Sequence, residues 1–144
     1  MALIEYVGNQ FSVAIPSDWV RMATPHHLVV FLDAVSGGSG ATITVSRHGV
    51  SAKESARSAI ADHQAKYLSY QLIHESVRPC AVYRRFRWSR DDGAGVVQHQ
   101  LFVDGLVVTC SREEGEDPLD EVFGAAIQSF RIRSGDVTPP DQGG

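Results

Sequence analysis

Apolar and polar positions alternate with a period of two along most of the chain, and the interruptions divide it into elements. Leu3 to Val7 and Gln10 to Ile15 flank Gly8-Asn9, a pair suited to the positive backbone angles of a tight turn. The chain therefore opens as a hairpin with Phe11, Val13 and Ile15 on one face. Pro16-Ser17-Asp18-Trp19 ends it, because proline supplies no ladder donor, and presents Trp19 as an apolar anchor. A strand from His27 to Asp33 and another from Ala41 to Arg47 are joined through Gly37-Gly38-Ser39-Gly40 as a second hairpin. In the latter strand Ala41, Ile43 and Val45 share one face, and Thr42, Thr44 and Ser46 the other.

The period then lengthens. Ser51-Ala52-Lys53-Glu54 fits a capping box, and Ala52, Ala56, Ile60, His63 and Tyr67 recur at helical spacing, predicting a helix to about Leu68. Four strand-like runs follow: Tyr70 to Val77, Ala81 to Ser89, Val96 to Val103 and Leu106 to Ser111. Turns at Asp91 to Gly95 and at Asp104-Gly105 make the last three a meander. Asp117-Pro118 offers an N-cap and a first-turn proline. Leu119, Val122, Phe123, Ala126, Ile127 and Phe130 supply the apolar stripe of a second helix. The fold class is α+β, an antiparallel sheet with two principal helices packed on it. Residues 1–133 form one domain, and the tail 134–144, with Pro139-Pro140 and a terminal glycine pair, is expected to be flexible.

Composition narrows the partner more than the reaction. A length of 144 residues with 43% hydrophobic and 21% charged positions suits one globular domain. Thirteen basic against seventeen acidic residues leave a net charge of -4, without the positive field that drives phosphate-backbone binding. No nucleic-acid partner is expected. The first residues lack the basic and apolar regions of a signal peptide, and no run is apolar for long enough to span a bilayer, so a cytoplasmic protein without stable membrane insertion is expected. Cys80 and Cys110 lie in apolar runs and are expected as free core thiols.

Catalytic patterns fail individually. Gly37 to Ala41 lacks the last glycine of a nucleophile elbow and the features of a phosphate loop. His26-His27 point to opposite faces of a strand, and His74-Glu75 lacks the second histidine of a zinc motif. His48 and His99 could meet only through an unknown register, and His63 falls on the helix stripe as a satisfied histidine. Asp91-Asp92 and Glu113-Glu114 lie in polar turn-like segments. No catalytic residue, metal site or cofactor is assigned. A small-ligand enzyme rests only on the six histidines and acidic pairs. Between Val82 and Ser89, parity puts Tyr83, Arg85, Arg87 and Ser89 on one face. Val82, Arg84, Phe86 and Trp88 fall on the other, a solvated face backing a core face. If Val97, Leu101 and Val103 pack beneath the helices, Val96, Gln98, Gln100 and Phe102 point away from them. They then form a mixed surface for an apolar segment, a terminal strand or a dimer mate.

Phe11-x-x-x-Ile15-Pro16-x-x-Trp19, Ala41 to Arg47, the following helix, Phe86-Arg87-Trp88, His99 to Val103 and Ser129-Phe130 together resemble the DcrB-like branch of the Mog/PsbP-like fold. The spacing is most similar to Eag-type chaperones of bacterial type VI secretion. That resemblance implies a non-catalytic, cytoplasmic, usually dimeric adaptor. Its client is a secreted effector whose apolar N-terminal helices it shields before loading on the secretion apparatus. It also implies a concave sheet face holding the client, with Leu28, Val30, Thr44 and Gln100 in similar positions and Gln64 matching a helix glutamine. With Gln98 and Phe102 of the mixed surface, these are the expected partner-binding residues. The alternative is a PsbP-like protein-binding module or assembly subunit with a soluble partner.

Overall fold

The computed structural model describes residues 2–34, 39–48 and 51–133. Gly37 and Gly38 of the expected hairpin loop and the tail 134–144 lie outside the described residues. The element order is β1 (Leu3–Val7), β2 (Phe11–Pro16), β3 (Val20–Thr24), β4 (His27–Leu32), β5 (Thr42–Arg47), α1 (Ala52–Lys66), β6 (Leu68–Arg78), β7 (Ala81–Ser89), β8 (Gly95–Val103), β9 (Leu106–Glu113), α2 (Leu119–Ser129) and β10 (Arg131–Ile132). Every pairing is antiparallel.

Two sheets form. The larger has seven strands in the order β3-β4-β5-β9-β8-β7-β6, and the smaller has three in the order β1-β2-β10. The opening hairpin thus leaves the main sheet and joins the last strand, because β2 buries both its faces and needs a cover of its own. The main core gathers Phe11, Val13 and Ile15 of β2, Trp19, Val29 and Phe31 of β4, Ile43 and Val45 of β5, Leu106, Val108 and Cys110 of β9, and the stripe of α2. Phe123, Ile43 and Val45 are fully buried there, each contributing about 1.5–3 kcal/mol of apolar transfer. At the end of α2, Ser129 Oγ accepts from the Ala14 amide at 2.8 Å, and Phe130 stacks on Phe11 with ring centroids 5.7 Å apart.

The helices take opposite faces of the main sheet. α2 packs over the Leu101 and Val103 side of β8, whereas α1 packs over Val82, Phe102 and Val107 through Ala52, Ala56 and Ala59. Of the two helices only α2 lies on the Leu101 and Val103 side, since the alanine stripe of α1 matches the second face. Ser51 caps α1 as read from sequence, its Oγ accepting from the Glu54 amide at 3.3 Å and donating to the Glu54 carboxylate at 3.1 Å. Asp104 adds a cap from the β8–β9 turn by accepting from the Ala52 amide at 2.9 Å.

Three local expectations are corrected. Asp117 does not cap α2: the helix begins at Leu119 behind Pro118 with no side-chain cap, and the Asp117 carboxylate lies 3.4 Å from Arg112 instead. Cys80 sits exposed in the β6–β7 turn, because Pro79 breaks the apolar run, while Cys110 is buried and its burial pushes the thiol pKa up. β3, absent from the sequence reading, is an edge strand paired only with β4. Its exposed Val20 and Met22 contribute no core pattern to recognise.

Candidate functional site: the second face of the main sheet

Register fixes which side chains share this face, since paired residues point the same way. One row runs across all seven strands as Met22, Val30, Thr44, Thr109, Gln100, Arg84 and Glu75. The row beside it is Val20, Leu32, Thr42, Ser111, Gln98, Phe86 and Leu72. On the other flank Ser46, Val107, Phe102, Val82 and Val77 line up. α1 packs on β6, β7 and β8 and leaves β3, β4 and β5 with the near side of β9 uncovered.

The uncovered half has a definite chemistry. Val20, Met22 and Leu28 are 47%, 42% and 39% exposed, with Val30 and Leu32 between them. The floor beside them is Thr42, Thr44, Ser46, Thr109 and Ser111. None of these side chains is charged, and the hydroxyl floor is made of small residues. Four strands spaced about 4.8 Å apart span about 14 Å, against an α-helix about 10–12 Å across. The open half therefore has the width of one further helix lying beside α1.

The expected partner-binding residues divide between the two halves. Val30 and Thr44 are adjacent in the open half, Val30 itself buried at 8% exposure and Thr44 half-buried, and alternation along β4 adds exposed Leu28, which also borders a cleft with Tyr6, Phe11 and Arg47 at the end of the strand. Gln98 accepts from Trp88 Nε1 at 3.1 Å, and Gln100 donates to Thr109 Oγ1 at 3.2 Å, so both amides are engaged within the sheet. Phe102 is 2% exposed beneath Ala52 and Ala56, a core position and not a surface one. Gln64 is exposed on α1. Helical spacing puts it beside Lys53, Arg57 and Ile60, which face β6, so it stands away from the open half.

Sequence parity placed Arg84 on the core face of β7 with Val82, Phe86 and Trp88. Arg84 is fully buried under α1. Its guanidinium donates to Tyr70 Oη and to His63 Nδ1, the latter at 3.1 Å, and lies 4.5 Å from the Phe86 ring centroid. Gln100 Oε1 is 3.5 Å away, and Arg84 Nε has no partner. No carboxylate pairs with it among the described residues. Burial lowers the Arg84 pKa, and burial together with the Arg84 charge lowers that of His63 to about 4, so His63 stands neutral as an acceptor. His63 also stacks on Tyr67, which stacks in turn on Trp88 at 4.2 Å. The result is a cation held by aromatic faces and neutral acceptors.

The opposite face holds a second chain of titratable groups, this one with a carboxylate in it. His99 Nε2 lies 3.0 Å from Asp120 Oδ1, which can only accept from it, and so His99 Nδ1 accepts from the Tyr83 hydroxyl at 2.9 Å. Arg112 holds the same carboxylate through Nε at 2.8 Å and Nη2 at 3.1 Å. Burial alone would raise the Asp120 pKa, but the bonds from Arg112 and the His99 interaction hold it below its usual value. Burial lowers the His99 pKa and raises that of Tyr83, the reverse of an activated phenol. The chain fastens the start of α2 to β7, β8 and β9. His48 bonds elsewhere, to the carbonyls of Val103 and Leu106 at 2.7 and 3.0 Å. Among the described residues no three His, Cys, Asp or Glu side chains gather as a metal site, and no helix is long and apolar enough to cross a membrane.

With three strands and α2 on one face and α1 half-covering the other, the molecule has an α+β PsbP-like fold. The solution structure of cyanobacterial PsbP (CyanoP) from Synechocystis sp. PCC 6803 matches it with a TM-score of 0.59 over 91% of this chain and 92% of that chain, at 17% sequence identity. No family model and no curated protein matches the sequence.

Proposed function

We propose that the chain is a non-catalytic, cytoplasmic protein-binding adaptor whose open sheet half receives an apolar helix. On this reading it is a chaperone of the Eag type that shields N-terminal apolar helices of a secreted effector until loading. The carrying observation is the uncharged, helix-wide strip beside α1, edged by exposed Val20, Met22 and Leu28. An apolar helix in water carries a penalty of about 25 cal/mol per Å², so covering one of its faces is strongly favourable. The small hydroxyl residues of the floor allow close approach and offer hydrogen bonds to polar groups of the client. A homodimer with two such strips facing each other would enclose the helix from both sides.

The test is capture of the tagged chain with its bound proteins from native cells, alongside Met22→Asp and Leu28→Asp. Both positions are exposed, so the fold should survive. Recovery of a protein with apolar N-terminal helices by the unmodified chain, and its loss from both variants, is the expected result. A partner without any apolar segment, held equally by all three, would overturn it in favour of an assembly subunit with a soluble partner. Light scattering of the purified chain checks the dimer.

A further inference from the structure

A second surface lies on the far side of α1. β6 is the outermost strand of the main sheet and pairs only with β7. Its pairing shifts register twice, between Leu68 and Gln71 and between Leu72 and His74, after which His74 to Arg78 run regularly against Arg85 to Ala81. Bulges twist an edge away from new partners; the regular stretch is therefore the part of this edge open to another strand. Beside that stretch lies a cleft of about 220 Å³ between α1 and the sheet. Ala56, Ile60, Val77 and Val82 form its apolar lining, and Lys53 and Arg57 stand at its rim. Among the described residues neither cation has a carboxylate within ion-pair distance, whereas Lys66 of the same helix pairs with Asp62 at 2.9 Å. Glu75 is the one acid at the cleft, so the local balance is positive in a chain whose net charge is -4.

We propose that His74 to Arg78 and this cleft form a docking site for an extended, acidic segment of a partner protein. The segment would add as a strand to the β6 edge. Its alternate side chains would turn toward α1, an apolar one entering the cleft between Ile60 and Val77 and an acidic one reaching Lys53 and Arg57. Backbone bonds supply affinity in this mode and the cleft supplies selectivity. The site is separate from the open strip, with α1 between them, and does not depend on what occupies that strip.

A fluorescein-labelled peptide of alternating valine and acidic residues, with a valine–lysine peptide as control, tests this by anisotropy. The acidic peptide should bind, more weakly at high salt, and the lysine peptide should not. Lys53→Glu combined with Arg57→Glu changes two exposed positions and should weaken binding by about tenfold or more. Hydrogen exchange should show new protection confined to residues 74–78 of β6. Equal binding of the two peptides, indifference to the double variant, or protection on β3 instead would overturn the site. So would a dimer in which the β6 amides are already protected without peptide.

Discussion

Arg84 shows how far one side chain can depart from what its neighbours in sequence suggest. Its face followed from strand parity. The groups that hold its charge on that core face did not, because His63 comes from α1 and Tyr70 from β6. Since no carboxylate among the described residues lies within ion-pair distance of it, replacement by an apolar residue of similar length should cost little: Arg84→Met is expected within about 1 kcal/mol of the unmodified chain in urea denaturation. Arg84→Ala, which leaves Tyr70 Oη and His63 without their donor and opens a cavity, should lose about 3 kcal/mol. His63 adds a pH dependence. Its folded pKa of about 4 lies below the ordinary 6.5, so the unfolded chain binds the proton more readily. The stabilisation is complete above pH 6.5 and declines as the pH falls toward 4, by about 2–3 kcal/mol. The depressed pKa values of His99 and Asp120 act in the same direction. Thermal denaturation across that window checks the sign.

At the level of elements, the two helices are held very differently. α2 inserts Leu119, Val122 and Phe123 into the main core, while α1 meets the sheet mainly through Ala52, Ala56 and His63. Phe123→Ala should therefore cost about 3–5 kcal/mol, and Ala56→Gly only about 1 kcal/mol, both measured by denaturation. Amides of α1 should also exchange with solvent well before those of β8. Both helices and the β7–β8–β9 meander were readable because each carries its own stripe, cap or turn pair: Ser51 with Glu54, Asp92-Gly93, Asp104-Gly105. β3 was not, because its apolar residues face outward. The expected Asp117 cap failed because Arg112, at the end of β9 on the other side of the turn, claims that carboxylate. The glutamines of β8 pointed toward the right face, yet only their hydrogen-bond partners, Trp88 diagonally across from Gln98 and Thr109 directly opposite Gln100, show them engaged inside the sheet.

For the whole molecule, the class of fold could be read from the order of strands and helices. The separation of β2 into its own sheet and the placement of α1 opposite α2 could not, since both depend on pairings between distant residues. That division leaves the apolar strip bare in the isolated protein. An environment-sensitive dye such as ANS should accordingly bind the folded chain, and Met22→Asp and Leu28→Asp should each reduce its fluorescence while leaving stability within about 0.5 kcal/mol. Retained fluorescence in both variants would move the apolar surface elsewhere.

β2 lies between β1 and β10, with Leu3 opposite Pro16 and Ile132 opposite Phe11. The two ends of the described chain therefore flank a single strand, roughly two strand spacings apart and about 17 Å along it. A short flexible linker could join them, and the exposed Asp91–Gly93 turn could be cut to give new termini. Such a circular permutant should keep the native architecture. It would also place β10 and β1 next to each other in sequence, so that closing the small sheet would no longer require bringing together residues from opposite ends of the polypeptide.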